Sequence, residues 1–230
     1  MKIGIIGAME EEIVAIKQKL QDFQSWTRGN IVFHQGTIEH HEIILIKSGI
    51  GKVQSALTTT LLIHEFHVEA IINTGSAGGI GKGLKIGDII LSNQTAYFDA
   101  DVTGFGYKYG QLPEQPLYFE TSRYLLASME KAVSELKLPT STGLILTGDS
   151  FVNDTDKIQN IKQRFPGALA IEMEGAAIAQ VGRQFNIGVL VVRAISDTAD
   201  EKATQNFDDF IIEAGKKSAE LVLKFLEIVK

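Results

Sequence analysis

Cysteine is absent from the 230 residues, which excludes disulfides, thiolate metal sites and a cysteine nucleophile. Basic charge is in short supply as well. With 22 Lys and Arg against 28 Asp and Glu, the formal charge is -6 and the pI about 5.4, so there is no general attraction for phosphate polymers or anionic membranes. Long hydrophobic runs are also missing: the longest apolar stretches, such as residues 43–46 and 189–192, fall far below the ~20 residues a membrane helix needs. The apolar start after Lys2 is cut off by Glu10, Glu11 and Glu12 before a signal-peptide core can form, and a cytoplasmic location is expected. What remains, 44% hydrophobic and 22% charged residues, is the composition of an ordinary globular chain.

Strand-length apolar runs recur at 2–7, 42–47, 70–74, 86–91, 142–147, 168–172 and 187–195. Between them lie helical patterns at 10–20, 122–136, 155–165 and 175–185, at Val53, Ala56, Leu57 and Leu61, and from Phe207 to Val229. Continuous runs such as Val-Leu-Val-Val indicate strands covered on both faces. The expected fold is therefore α/β: a three-layer αβα arrangement around a central mixed, mostly parallel sheet, in one domain spanning 1–230. One stretch, 92–120, loses clear periodicity after its first residues yet holds seven aromatics of a chain with 12 Phe, 5 Tyr and 1 Trp. So long a connection can be a surface excursion pinned by its own aromatics, but its Tyr and Phe enrichment favours a subunit interface or a pocket wall.

Open α/β sheets bind ligands beyond the carboxyl ends of their strands. Five segments lie there: Gly7-Ala-Met-Glu-Glu-Glu12, Asn73-Thr-Gly-Ser-Ala-Gly-Gly79, Thr147-Gly-Asp-Ser-Phe151, Glu172-Met-Glu-Gly175 and Arg193-Ala-Ile-Ser-Asp197. Glutamates opening a helix offset its dipole by about 0.3 to 1 kcal/mol, which alone explains the first segment. The same carboxylates stand where a phosphate site would leave free N–H groups, so phosphate is disfavoured there. Neither Gly51-Lys52 nor Gly81-Lys82 makes a P-loop, because Ile46 and Ser76 occupy the first glycine position and Val53 and Gly83 the Ser/Thr position. With only Gly4 and Gly7, the first strand lacks a dinucleotide fingerprint. Ser76 has no histidine in any of the five segments to activate it, so it marks a tight turn or a close approach to ligand rather than a nucleophile. Arg193 interrupts an apolar run and needs a carboxylate partner from another segment. Glu172 and Glu174 share a face if the strand runs through both. Asp197 either caps a turn or acts, in an enclosed site, as a general acid. All five histidines are expected to be solvated, without a metal-ligand pattern.

Gly4-Ile-Ile-Gly-Ala-Met-Glu-Glu-Glu12, Lys47-Ser-Gly-Ile-Gly-Lys52, Ile71-Ile-Asn-Thr-Gly-Ser-Ala-Gly-Gly79, Asp99-Ala-Asp-Val102, Phe105-Gly-Tyr-Lys-Tyr-Gly-Gln111, Ala170-Ile-Glu-Met-Glu174 and Val192-Arg-Ala-Ile-Ser-Asp197 occur in this order. Together they resemble the bacterial 5′-methylthioadenosine/S-adenosylhomocysteine nucleosidases over nearly the whole chain. The resemblance implies a nucleoside phosphorylase/hydrolase fold, a homodimer, and hydrolytic release of adenine from thioether nucleosides without metal or organic cofactor. By the same resemblance Asp197 protonates adenine N7 and Glu12 activates the attacking water. Glu174 and Met173 bind the ribose hydroxyls, and Ser76 and Arg193 hold the water and Glu12. Phe151 stacks on adenine beside Val152, with Ala77, Gly78 and Ser196 also at the base. Met9, Ile50 and Phe207 form the 5′-thio pocket, completed by Val102, Phe105, Tyr107 and Pro113 of a partner subunit. Phe98, Gly175 and Val152 depart from the family pattern, where histidine, alanine and isoleucine are common. Two rivals stay open: a purine nucleoside phosphorylase of the same fold, and a nucleoside-binding module without turnover.

Overall fold

The structure, a computed structural model, describes residues 1–198 and 203–230, and of residues 203–208 only the backbone. From the amino end run β1 (Lys2–Gly7), α1 (Glu10–Lys17), β2 (Gln21–Arg28), β3 (Ile31–Ile38), β4 (His41–Lys47), α2 (Lys52–Phe66), β5 (Ala70–Gly79) and β6 (Ile89–Tyr97). A 3-10 turn at Thr103–Phe105 leads to β7 (Phe119–Glu120), then α3 (Arg123–Leu136), β8 (Thr140–Thr147), α4 (Thr155–Arg164), β9 (Ala168–Glu172), α5 (Gly175–Gln184), β10 (Gly188–Asp197) and α6 (Ala203–Ile228). The sheet order is β10-β6-β8-β9-β5-β1-β4-β3-β2, with β7 alongside β6. Because β10 also pairs with β5, the strands β5, β10, β6, β8 and β9 close into a ring, from which β1, β4, β3 and β2 extend as an open wing. Parallel pairs (β1 with β4 and β5, β5 with β10, β8 with β6 and β9) join antiparallel ones, so the sheet is mixed.

Alternation within the apolar runs builds the layers. Ile3, Ile5, Ile43, Leu45, Ile72, Leu190 and Val192 enter one core with side chains of α1, α3 and α6. Ile6, Ile44, Ile46, Ile71, Val189 and Val191, from the same strands, enter a second core with α2 and α5. Both faces are thus apolar, which is why these strands read as continuous hydrophobic runs. Each such side chain contributes about 1.5–3 kcal/mol on burial, so the helical layers are held by the sheet rather than by helix propensity. Local signals set the helix starts: Asp154 accepts the Asp156 and Lys157 N–H groups at 2.8 and 3.1 Å as the cap of α4, and Ser122 caps α3. Among the described residues no helix is long and apolar enough to cross a membrane.

The structure departs from several expectations. Strand β6 spans Ile89–Tyr97 rather than 86–91: Gly87, at φ +87°, turns the chain before it, and the polar residues Ser92 to Thr95 carry it on without an apolar run. The apolar pattern predicts no strand at 21–28; all eight residues of β2 are exposed, so this edge strand has no buried face to create a periodic signal. Strand β5 continues five residues past the expected Thr74, because Gly75 to Gly79 are small residues in ladder register with β10 rather than an apolar run. His34 and His41 are buried, not solvated: His34 stacks on Phe23 and bonds the Ser25 hydroxyl, while His41 lies between the Met1 amine and the Val229 carbonyl. In both, burial lowers the imidazole pKa.

Candidate active site

Strand β1 ends at Gly7 and turns through Ala8 and Met9 into α1. Glu10 and Glu11 on the first turn are solvated, as the helix-dipole reading expects, but Glu12 is buried. Its Oε2 accepts the backbone N–H groups of Ala8 at 2.7 Å and Met9 at 3.1 Å, the reach-back half of a capping box. Its Oε1 accepts from the Ser76 N–H at 3.0 Å and the Ser76 hydroxyl at 3.2 Å. A side chain at position 75 would place Cβ 2.7 Å from Oε1, so only glycine leaves the carboxylate its seat. Burial raises the Glu12 pKa, with the Arg193 charge and the backbone donors pulling it back down.

Beneath this corner lies a buried ionic network. Arg193, on β10, donates from Nη2 to Glu172, to which it is tightly paired, and to Asn73 Oδ1 at 2.5 Å; Nη1 reaches the Val192 carbonyl at 3.0 Å. The expected carboxylate partner from another segment is therefore Glu172. Glu172 also accepts from the Thr147 hydroxyl and from the N–H groups of Glu174 at 3.1 Å and Gly175 at 2.8 Å, closing the start of α5. Glu174 lies 3.8 Å from Arg193 and accepts the Gly51 N–H at 2.9 Å. One guanidinium serves three buried carboxylates, and desolvation with the neighbouring Glu172 charge pushes Glu174 well above the usual carboxylate range. Gly175, one of the departures, sits where a Cβ would come within 3.1 Å of Val191 and 3.2 Å of Glu172.

At the far end a register shift in the β10–β5 ladder inserts Ser196 between Ile195 and Asp197. The Ser196 hydroxyl donates to Asp197 Oδ2 at 2.9 Å, and Asp197, opposite Gly78, is buried. Between this acid and Glu12 opens a cavity of about 430 Å³, lined by Ala8, Met9, Glu12, Ile50, Ser76, Ala77, Gly78, Phe151, Ile171, Glu172, Met173, Glu174, Ser196 and Asp197. Val152 belongs to an adjoining recess of about 40 Å³, shared with Phe151, Gly78 and Asp197. Arg193 lies below the lining rather than in it. Ala8, Ile171 and Glu172 were not among the expected site residues; the charge of Glu172, two before Glu174, was the available signal. Phe207 falls outside the described side chains. Val102, Phe105, Tyr107 and Pro113 do not enter the cavity of the single chain, and Phe105 stands 86% exposed. Among the described residues no group of His, Asp and Glu is arranged to hold a metal ion.

Residues 2–227 match the model of the Phosphorylase superfamily. This agrees with a mixed sheet flanked by helices and with a cavity at the strand ends. A 5′-methylthioadenosine/S-adenosylhomocysteine nucleosidase of Staphylococcus haemolyticus is 43% identical over 99% of this chain and 100% of its own. The Streptococcus pneumoniae enzyme of the same name, solved with the transition-state inhibitor MT-ImmA, is 49% identical, with a TM-score of 0.97 and 100% of both chains covered. Futalosine hydrolase of Helicobacter pylori is 38% identical at a TM-score of 0.95, over 99% of this chain and 97% of its own. Within the superfamily, the chain belongs to the 5′-methylthioadenosine/S-adenosylhomocysteine nucleosidases, which are N-glycosyl hydrolases.

Proposed function

We propose that this chain hydrolyses 5′-methylthioadenosine, S-adenosylhomocysteine and 5′-deoxyadenosine to adenine and the corresponding 5-substituted ribose. The observation that carries hydrolysis over phosphorolysis is the occupancy of the donor groups around α1. The N–H groups of Ala8, Met9 and Ser76, which would otherwise receive an anion, are all spent on Glu12. A phosphate would have to displace a built-in carboxylate, whereas a water can donate to it. In the reaction a water oxygen bonds to the anomeric carbon as the C1′–N9 bond breaks. Glu12 takes the water's proton, and the electron pair left on the base is met at N7 by the proton of Asp197. Arg193 steadies the negative charge around Glu12 and Glu174, and Glu174 with Met173 takes the ribose hydroxyls. Phe151 stacks on adenine, while Val152 offers its backbone. Adenine release from methylthioadenosine is expected in phosphate-free buffer, with free 5-methylthioribose as co-product. Strict dependence on phosphate, with a ribose 1-phosphate product, overturns this reading, and absence of any turnover would leave the binding module.

The apolar 5′ end is completed, in this proposal, by a second copy of the chain. Ile50, Val53 and Leu57 leave an apolar stripe at the start of α2, 54%, 77% and 48% exposed, and Phe105 projects from the 92–120 excursion. Phe105→Ala is expected to raise KM for methylthioadenosine about tenfold, the scale of truncating an aromatic side chain at an interface. Light scattering should find wild-type dimers. If the protein is monomeric, or if the variant changes neither KM nor association, the shared pocket is wrong.

A further inference from the structure

Lys52 is the first residue of α2, where the helix dipole disfavours a cation, and no acidic residue stands in that first turn. Its ammonium is instead matched by carboxylates from two other loops. Nζ donates to Asp99 Oδ1 at 2.9 Å and Oδ2 at 2.7 Å, lies 3.8 Å from Asp149, and sits 5.3 Å from the centroid of the Tyr97 ring. The backbone closes the same circle: the Lys52 N–H donates to Asp149 Oδ1 at 2.8 Å and the Asp149 N–H to Asp99 Oδ2 at 2.9 Å. Next to this cluster Gly51 adopts φ +98°, and a Cβ there would come within 3.0 Å of Asp149, so the chain can pass only as glycine. Gly51 gives its N–H to Glu174, Ile50 lines the cavity, and Phe151 follows Asp149 by two residues.

We infer that Lys52, Asp99 and Asp149 form a clasp of positioning residues that holds the Gly49–Gly51 turn against Glu174 and so sets substrate affinity at the ribose and 5′ end. The inference rests on the proposed nucleosidase reading of the same cavity. Neutral methylthioadenosine is the suitable probe, because salt then acts on the protein and not on the ligand. Lys52 and Asp99 are about a quarter exposed and Asp149 about half, so screening limits the effect to roughly tenfold. Lys52→Ala should raise KM about tenfold with kcat within threefold of wild type, and Lys52→Arg should keep KM within threefold. Raising sodium chloride from 0.05 to about 1 M should raise KM of wild type and leave Lys52→Ala flat. Hydrogen exchange of the 49–52 amides, read without substrate, should quicken about tenfold in Lys52→Ala. An unchanged KM in Lys52→Ala, or an equal fall in kcat that Lys52→Arg does not restore, overturns the clasp. If wild type fails to release adenine, the nucleosidase reading falls, and the exchange measurement still decides whether the clasp holds the turn.

Discussion

Asp197→Asn is expected to lower adenine release from methylthioadenosine at neutral pH by at least ~100-fold, within the ~10²–10⁴ range of a lost acid–base group. The adenine anion is a poor leaving group, so breaking the glycosidic bond requires a proton at the base as well as a nucleophile at the sugar. Asn has the size and the acceptor oxygen of Asp but no transferable proton. Since the Ser196 hydroxyl donates to Asp197 Oδ2, the amide carbonyl can accept the same bond, and the ladder bulge that aims the side chain is a backbone feature. Circular dichroism should show a folded variant while kcat collapses. Such a pattern separates chemistry from folding. A folded Asp197→Asn protein retaining more than a tenth of wild-type turnover would remove Asp197 from the acid's role.

The layered architecture was legible because its signal is burial on two faces: β1 and β9 begin and end where the apolar pattern does, and α5 starts at Gly175 as read. Strand β2 was invisible for the opposite physical reason, since its exposed Phe23 and Trp26 lie among polar residues with no core face to pattern. The site divides in a similar way. Arg193 announced itself as a cation inside an apolar run, and its need for a partner pointed to a glutamate; that the glutamate is Glu172 depends on the ring placing β9 and β10 on either side of β5. Composition could not reveal that Glu12 is buried while Glu10 and Glu11 are not, because the three are chemically identical and only the turn at Gly7 to Met9 separates them. The clasp at Lys52 was equally hidden, its members being 47 and 97 residues from the lysine along the chain. Phe98, one of the departures from the family pattern, is buried within its own chain, its ring filling the space a side chain at position 148 would need.

Glu12→Gln should also cost at least ~100-fold in kcat, and it should cost stability too. A carboxylate accepts on both oxygens, and here both are used: Ala8 and Met9 donate to one, Ser76 to the other. An amide offers one oxygen, so whichever way it turns, its NH₂ faces buried N–H donors, a penalty of about 1–3 kcal/mol. The pH dependence carries a sharper signature. Because burial raises the Glu12 pKa, the wild-type rate should fall on acidification through a value above 4.5, as the base takes up a proton, and that limb should vanish in the variant. The linkage runs the other way for the fold. A carboxyl with a raised pKa contributes stability that is fully present below its ordinary value and is lost as pH rises through the raised one. The ionised Glu12 that catalysis requires is thus the form the folded protein tolerates less, and the three N–H donors, the Ser76 hydroxyl and the Arg193 charge offset that cost. Kinetics against pH and thermal denaturation against pH, run on both proteins, test the two halves together. A folded Glu12→Gln enzyme with near-normal kcat, or one that keeps the acid limb, would show that another group activates the water.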